Sequence, residues 1–411
     1  MQASPRVGRQ RYLLIVLTSC CVSGVGGLHP YAAVNPWVLV WSDEFGRAAG
    51  SGADIAEWLY DVGTAYPGGP AQWGTGEVET MTTSTRNVVH DGAGHLLITP
   101  VHDGSSPTLG WTSGRVETAR TFDAPANGAI AFEASIKQPD VSGRAAAGYW
   151  PAFWSLGSPF RGNYQNWPAI GEIDMMEDVN GLSSEFATLH CGSAPGGPCN
   201  EFTGLSSGRL ACGGCQTALH RYRVELDRGV SPQELRWFLD DTQVFSVKAT
   251  RVDGATWANA TNHPFFVLLD VAIGGGFPAA FGGGPTTATA SGVSMVVDYV
   301  RVFKRAGAFS DDPLIPGVTP VRAMHVSELR NRINAVRGRF GVAAYNWTDP
   351  DLTAAPIKAI HITELRAAIT DAYTAATLAP PIFSDPALAG MPIKAVHIAE
   401  LRNATVSLET K

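Results

Sequence analysis

Charge is scarce in this chain. Charged residues make up 16% of its 411 positions, and they carry no cationic excess: 30 Lys and Arg against 37 Asp and Glu, a formal net charge of −7. A nucleic-acid partner, which needs a basic footprint, is therefore not expected. Long hydrophobic runs are missing too. No segment supplies the roughly 18 consecutive apolar residues of a membrane-spanning helix. From Val38 to Phe303 there is no sustained helical periodicity, which argues against an α-helical main domain. Cysteine is sparse, with six in all, two of them adjacent at Cys20 and Cys21. What is present is 45% hydrophobic residues, 45 Gly, 27 Pro and 11 Trp. That composition excludes disorder and fits a well-cored protein with many turns and spare aromatic surface.

The first residues read as a targeting segment, spanning residues 1–27. Arg6, Arg9 and Arg11 precede an apolar run from Tyr12 to Leu17, and small residues follow up to Gly27. Export is the expectation. Leu17-Thr18-Ser19-Cys20 also matches a lipoprotein cleavage box, in which Cys20 would carry a lipid anchor; cleavage nearer Gly27 is the competing reading. In an exported chain the remaining cysteines, Cys191, Cys199, Cys212 and Cys215, point to two disulfides with three possible connectivities. The local pairs Cys191–Cys199 and Cys212–Cys215 are favoured over a zinc site, because Cys191 to Cys199 is wide for a ligand pair.

Residues 35–305 have the texture of an all-β domain. Ile130–Ile136, Tyr222–Leu226, Phe265–Ile273 and Met295–Phe303 are short strands, most of them rich in β-branched and aromatic residues and set between Gly, Asn, Asp and Pro turns. Many such strands predict a β-sandwich or barrel. Residues 309–411 differ. One pattern begins at Val321, Ile357 and Ile393, 36 residues apart each time, and runs to Arg330, Arg366 and Arg402. Each copy predicts a helix, with Pro320, Pro356 and Pro392 in its first turn. The three should pack as a small helical repeat domain joined to the sandwich by a short polar linker. His325/Glu328, His361/Glu364 and His397/Glu400 share a helical face. They would serve either as a metal or ligand site shared between repeats, or as a repeated structural hydrogen bond with Arg pairing to Glu.

Candidate chemistry lies in Gly171-Glu172-Ile173-Asp174-Met175-Met176-Glu177-Asp178. In a strand Glu172 and Asp174 share a face, while Glu177 has the wrong parity. A β-bulge at Met175-Met176 would return Glu177 to that face. In a helix Glu172 and Glu177 would stand about 140° apart, so only the bulged strand gathers all three. Glu172 and Glu177 would then lie about 13 Å apart at Cα, and long side chains on a curved sheet would close this towards the roughly 5–5.5 Å of a retaining glycosidase. Upstream, Trp150 and Trp154 would face one side of a strand, as indoles stacking on sugar rings would.

Together these segments resemble the bulged, laminarinase-like branch of glycoside hydrolase family 16. The likeness runs from Leu39-Val40-Trp41-Ser42-Asp43-Glu44-Phe45, through Trp111-Thr112-Ser113-Gly114-Arg115, the Trp150–Trp154 segment, Thr188-Leu189-His190 and Phe265-Phe266-Val267-Leu268-Leu269, to Val297-Asp298-Tyr299-Val300-Arg301-Val302-Phe303. It implies a concanavalin-like β-jelly-roll sandwich with a concave substrate groove. The implied activity is a secreted endo-β-1,3-glucanase acting with retention on laminarin-like β-glucan. By position it makes Glu172 the nucleophile, Glu177 the acid/base and Asp174 the assisting carboxylate, with Trp150, Trp154, Arg115 and His190 lining the groove. It requires no catalytic cofactor, and implies a structural calcium near Glu44, Gly92 and Asp298, a hard-oxygen set. Two positions depart from the pattern: Asp270 stands where Asn is more frequent, and Leu226 where Trp is usual, which puts the groove's shape there in question. The alternatives are a glucan-recognition protein on the same fold, or a hydrolase of mixed-linkage glucan or a β-galactan. The repeats lie outside the resemblance and are expected to bind a surface or a partner.

Overall fold

The computed structural model describes residues 35–353 and 356–411; the targeting segment and Cys20 lie outside the described residues. Two sheets form the main body, as the strand texture predicted. One is eight-stranded and the other seven-stranded. The seven-stranded sheet carries the acidic motif and runs in the order Leu205–Ser206, Thr188–His190, Glu172–Glu177, Tyr149–Gly157, Phe265–Ile273, Arg115–Thr118, Trp58–Tyr60. Phe265–Ile273 has the bounds read from the sequence, and it is buried along its whole length. Two short helices, Gly254–Thr261 and Gly276–Ala280, interrupt the β texture; eight and five residues are too few to show a helical period.

Alternation decides which side chains enter the core between the sheets. From the seven-stranded sheet come Phe153, Ile173, Leu189, Val267, Leu269 and Val271; the other supplies Phe132, Ala134, Tyr222, Val224, Trp237 and Val300. Leu226 belongs to this core, opposite Ile130 and Leu235 on the eight-stranded sheet, so the departure there does not touch the substrate face. Both local disulfides form, with Cα separations of 5.5 Å for Cys191–Cys199 and 5.7 Å for Cys212–Cys215.

The C-terminal part consists of helices Ala323–Arg339, Ala359–Ala375 and Ala395–Glu409. They start three residues beyond Pro320, Pro356 and Pro392, so the prolines sit upstream of the helix and not in its first turn. The residues that cap each helix, Arg322, Lys358 and Lys394, are extended, as residues at an N-cap usually are. Each histidine is buried and has both ring nitrogens engaged. Nδ1 accepts the capping backbone N–H at 3.2 Å, and Nε2 meets Asp311, Asp349 or Asp385 at 3.0–3.1 Å. No lone pair remains for a metal, and the structural reading holds.

The arginines run between repeats. Arg330 donates to the carbonyls of Thr348 and Asp349, Arg366 to those of Ser384 and Asp385, and Arg402 returns to that of Ser310. Each guanidinium also lies over the next repeat's aromatic ring, Trp347, Phe383 or Phe309. The Arg–Glu pairs follow the same circuit: Arg330–Glu364, Arg366–Glu400 and Arg402–Glu328. Three copies therefore close into a ring, which leaves no uncapped end of the kind an open repeat array must cover.

The two bodies have separate cores. That of the sandwich ends at Val302, and that of the repeats begins at Phe309. The connection is not the polar linker expected. Ala306 and Phe309 are buried, Arg332 donates to the Gly307 carbonyl at 3.0 Å, and Lys304 donates to the Lys411 carbonyl at 2.8 Å.

Candidate active site

Pairing registers place the motif. Ala152 lies opposite Glu177, Phe153 opposite Met176, and Trp154 opposite Asp174, so Met175 is the extra residue of a bulge. Glu172, Asp174 and Glu177 thus share the face turned away from the core. A bulge breaks the ladder and threatens to leave buried backbone groups unpaired. Here Trp237 reaches across from the opposite sheet and donates its indole N–H to the Asp174 carbonyl at 2.7 Å. Just before the strand, Gly171 has φ +75°, and a Cβ there would come 2.1 Å from the Ala260 carbonyl oxygen. Only glycine permits this strand to start where it does.

Across the sheet the registers align a row: Arg115, Asp270, Ala152 and Glu177. Ala152 is the small member, leaving space beside Glu177. On the other side His190 lies opposite Glu172. Its Nε2 is 3.4 Å from Asp174 Oδ2 and 3.9 Å from Glu172 Oε1, and Nδ1 is 2.6 Å from Glu201 Oε2. Burial alone would lower the pKa of this imidazole, but hydrogen bonding to Asp174 and Glu201 pushes it well above the usual histidine range. His190 is therefore a cation between carboxylates.

Burial raises all three carboxyls of the motif. Glu172 is pushed up to about 8 by burial and then by Asp174, while His190 pulls it back. Asp174 is raised by burial. Glu177 is raised well above the carboxylate range by burial and then by Asp174. Three negative charges cannot share so enclosed a site, so protons are retained. Glu172 has the His190 cation beside it. Glu177 has the neutral indole of Trp150, which donates to its Oε1 at 2.8 Å. Of the two glutamates, Glu172 is therefore the one whose ionised form has a cation beside it, and Glu177 the one raised further.

Trp154 is half-buried and donates to Asp270 Oδ1 at 2.6 Å. Burial raises Asp270 to about 7 against the pull of Arg115. Arg115 is 5% exposed: its Nε lies 3.1 Å from Asp61, and its guanidinium stacks over Trp73 at 4.5 Å, Trp154 at 4.7 Å and Tyr66 at 5.3 Å. It lies on the same sheet face as Asp270 and Glu177, packed among the rings that wall the site. Sequence reasoning missed Glu201, Asp61, Tyr66 and Trp73, which lie in loops with no periodic signal and reach the site only through folding. Away from this face, the carboxylate of Glu44 is taken by Arg301 at 2.7–2.9 Å, Gly92 turns at φ +77° against Ala49, and Asp298 is the extra residue of a bulge opposite Ile136–Ser135.

A sandwich whose outer face carries two glutamates flanking an aspartate, walled by indoles, is the site of a glycoside hydrolase. Comparison with known proteins agrees. The XgeA-like catalytic GH16 domain family matches residues 115–209. The chain is 32% identical over 318 residues to a beta-glucanase of Rhodothermus marinus, covering 74% of this chain and 97% of that protein. It is 31% identical to glucan endo-1,3-beta-glucosidase A1 of Niallia circulans, over 65% of this chain and 38% of that one. The endo-1,3-beta-glucanase structure from Streptomyces sioyaensis aligns with TM-score 0.64 and 55% identity, over 67% of this chain and all of that one. The chain belongs to glycoside hydrolase family 16.

Raised carboxyls carry a stability cost with a definite sign. Glu172 binds its proton up to about pH 8 in the fold but only up to about 4.3 when unfolded. Its contribution to stability is thus full below the unfolded value and lost as pH rises through the folded one. Glu172→Gln should melt like the wild type at pH 4 and be more stable by about 1–2 kcal/mol at pH 8, read from calorimetric melting curves at both pH values.

Proposed function

We infer that this chain is an exported endo-glycosidase that cleaves internal β-1,3 linkages of glucan with retention of configuration. The observation that carries this reading is the unequal environment of two glutamates on one bulged strand: Glu172 beside a histidine cation, Glu177 capped by an indole N–H. Glu172 attacks the anomeric carbon. Glu177 protonates the leaving glycosidic oxygen, then takes a proton from the incoming water. Asp174 and His190 hold Glu172 in place and balance its charge, while Trp150 and Trp154 present flat faces to the sugar rings. A glucan-recognition role is a poorer fit, because pure binding gains nothing from two buried glutamates whose ionised forms are costly. Relatives with glucanase names favour β-1,3-glucan over mixed-linkage glucan or β-galactan.

Glu172→Ala should abolish turnover, and added azide should restore it as the α-configured glycosyl azide; a β-azide would remove Glu172 as nucleophile. Glu177→Gln should slow hydrolysis of natural glucan by about 10²–10⁴-fold and spare an activated aryl glycoside, whose leaving group needs little protonation. Both are read from steady-state rates and product analysis.

We further propose the structural calcium on the face remote from the carboxylates. With Glu44 committed to Arg301, such an ion would draw on Asp298 and backbone carbonyls, oxygen donors of the kind calcium takes. Chelation should lower the melting temperature by a few degrees and leave the rate below the transition unchanged; no shift on chelation would dismiss the ion. The repeat ring is proposed to serve attachment to a surface or partner. Because its core is separate, a chain ending at Ala306 should keep its rate on soluble laminarin and lose rate only on particulate glucan. Equal losses on both would make the ring part of the catalytic body.

A further inference from the structure

One aromatic pair near the catalytic strand is not used by the chemistry above. Trp167 and Phe202 come from separate loops and lie nearly parallel, with ring centroids 6.0 Å apart and planes 12° apart. Trp167 is half-buried over a small apolar cluster that includes Leu156, Ile170 and Phe266. Its ring also stands 5.5 Å from that of His190, whose Nε2 reaches Glu172. Phe202 is 67% exposed. Exposed single hydrophobics are ordinary on a protein surface; this one differs in how firmly it is held.

The residue before it, Glu201, is buried. Its Oε2 takes His190 Nδ1 at 2.6 Å and its Oε1 accepts the Cys191 N–H at 2.8 Å. Residues 191–199 are closed into a loop by the Cys191–Cys199 disulfide. On the far side, Thr203 N–H donates to the Asn200 carbonyl at 3.0 Å. Gly204, at φ +71°, packs so closely that a Cβ there would lie 2.5 Å from Thr188 Cγ2 and 3.0 Å from the His190 ring. Phe202 is thus anchored on both sides to the strand that carries His190, and its ring is presented outward in a fixed position. A rigid, solvent-facing ring continuous with an active site has already lost the freedom that binding would otherwise cost it.

We propose that Trp167 and Phe202 form an accessory platform for a glucosyl unit beyond the catalytic subsite, on the Thr188–His190 side of the carboxylates. The sugar stacks its apolar C–H face on the rings. This rests on the glycan-hydrolase reading of the site, and it adds a place where chain length is sensed. Covering one phenyl face removes apolar surface from water on both partners, enough for about a tenfold gain in affinity.

The test is kinetic, with a series of β-1,3-gluco-oligosaccharides of increasing length and with Phe202→Ala, Phe202→Trp and Trp167→Ala in the full chain. Phe202→Ala should raise KM for long oligosaccharides about tenfold more than for the shortest one cleaved, with kcat nearly constant across the series. Phe202→Trp should restore the long-chain KM. Trp167→Ala should act like Phe202→Ala if its melting curve shows the fold intact; Phe202, on the surface, decides the matter if it does not. Equal losses on short and long substrates, a fall confined to kcat, or no change in Phe202→Ala would overturn the platform. A wild type that ignores β-1,3-glucan but cleaves another β-glycan overturns the linkage reading instead; the same length series on that glycan then decides the platform. If no glycan is cleaved, calorimetric titration with hexaoses decides it, binding unaffected by Phe202→Ala counting against.

Discussion

The insertion of one residue, Met175, into an otherwise regular strand is the constraint on which the active site depends. Without it, Glu177 would point into the inter-sheet core among Phe153, Ile173 and Trp237, where a carboxyl group is least tolerable. With it, three carboxyls and His190 crowd one face, and their ionisation becomes a shared property. The surroundings show the cost of that arrangement. Trp237 satisfies a carbonyl at the bulge, Gly171 allows the strand to begin against Ala260, and Glu201 holds the imidazole that balances the charge. Trp237 and Glu201 are remote in sequence from the motif they support.

Charge on this face is managed in two ways. Beside the catalytic strand, a histidine cation sits between carboxylates and keeps one of them ready to ionise. Three strands away, Arg115 is enclosed by Tyr66, Trp73 and Trp154, and its charge is matched by Asp61. There the cation stiffens a wall of rings, and Trp154 is fixed from both sides by Arg115 and Asp270. Rigid aromatic walls beside a charge cluster suit a ligand that offers flat C–H faces and hydroxyls, and that carries no charge of its own.

The C-terminal ring uses similar chemistry for a different end. Each repeat is too small to bury a helix face alone, and each completes its neighbour by one arginine that bonds carbonyls, stacks on an aromatic ring and pairs with a glutamate. Because Arg402 returns to the first loop, each of the three arginines has a neighbouring loop whose carbonyls accept from its terminal nitrogens. Lys304 and Arg332 then tie the ring to the end of the sandwich through backbone carbonyls, without merging the two cores.

Much of this was legible in the chain. Strand parity and the spacing of Glu172, Asp174 and Glu177 demanded the bulge, since period-two alternation allows no other way to gather them. Periodicity of 36 residues announced the helices, and short cysteine spacings favoured local disulfides. These are local properties, set by the backbone's own repeat. The histidines of the repeats were ambiguous in sequence, because capping and metal binding use the same residue types at the same spacing; only the positions of the capping N–H groups and of Asp311, Asp349 and Asp385 decided between them. The packing of Arg115 was hidden for a related reason: its neighbours Asp61, Tyr66 and Trp73 come from a loop more than forty residues away, and burial is a property of that meeting. Glu201 and Phe202 carried no signal at all. What the sequence determined alone is periodic and local: strands, bulge, repeats and the identity of the acids. Which charges meet, which rings stack and which carboxyl has a cation beside it depend on distances between segments far apart in the chain, and only the tertiary structure brings those together.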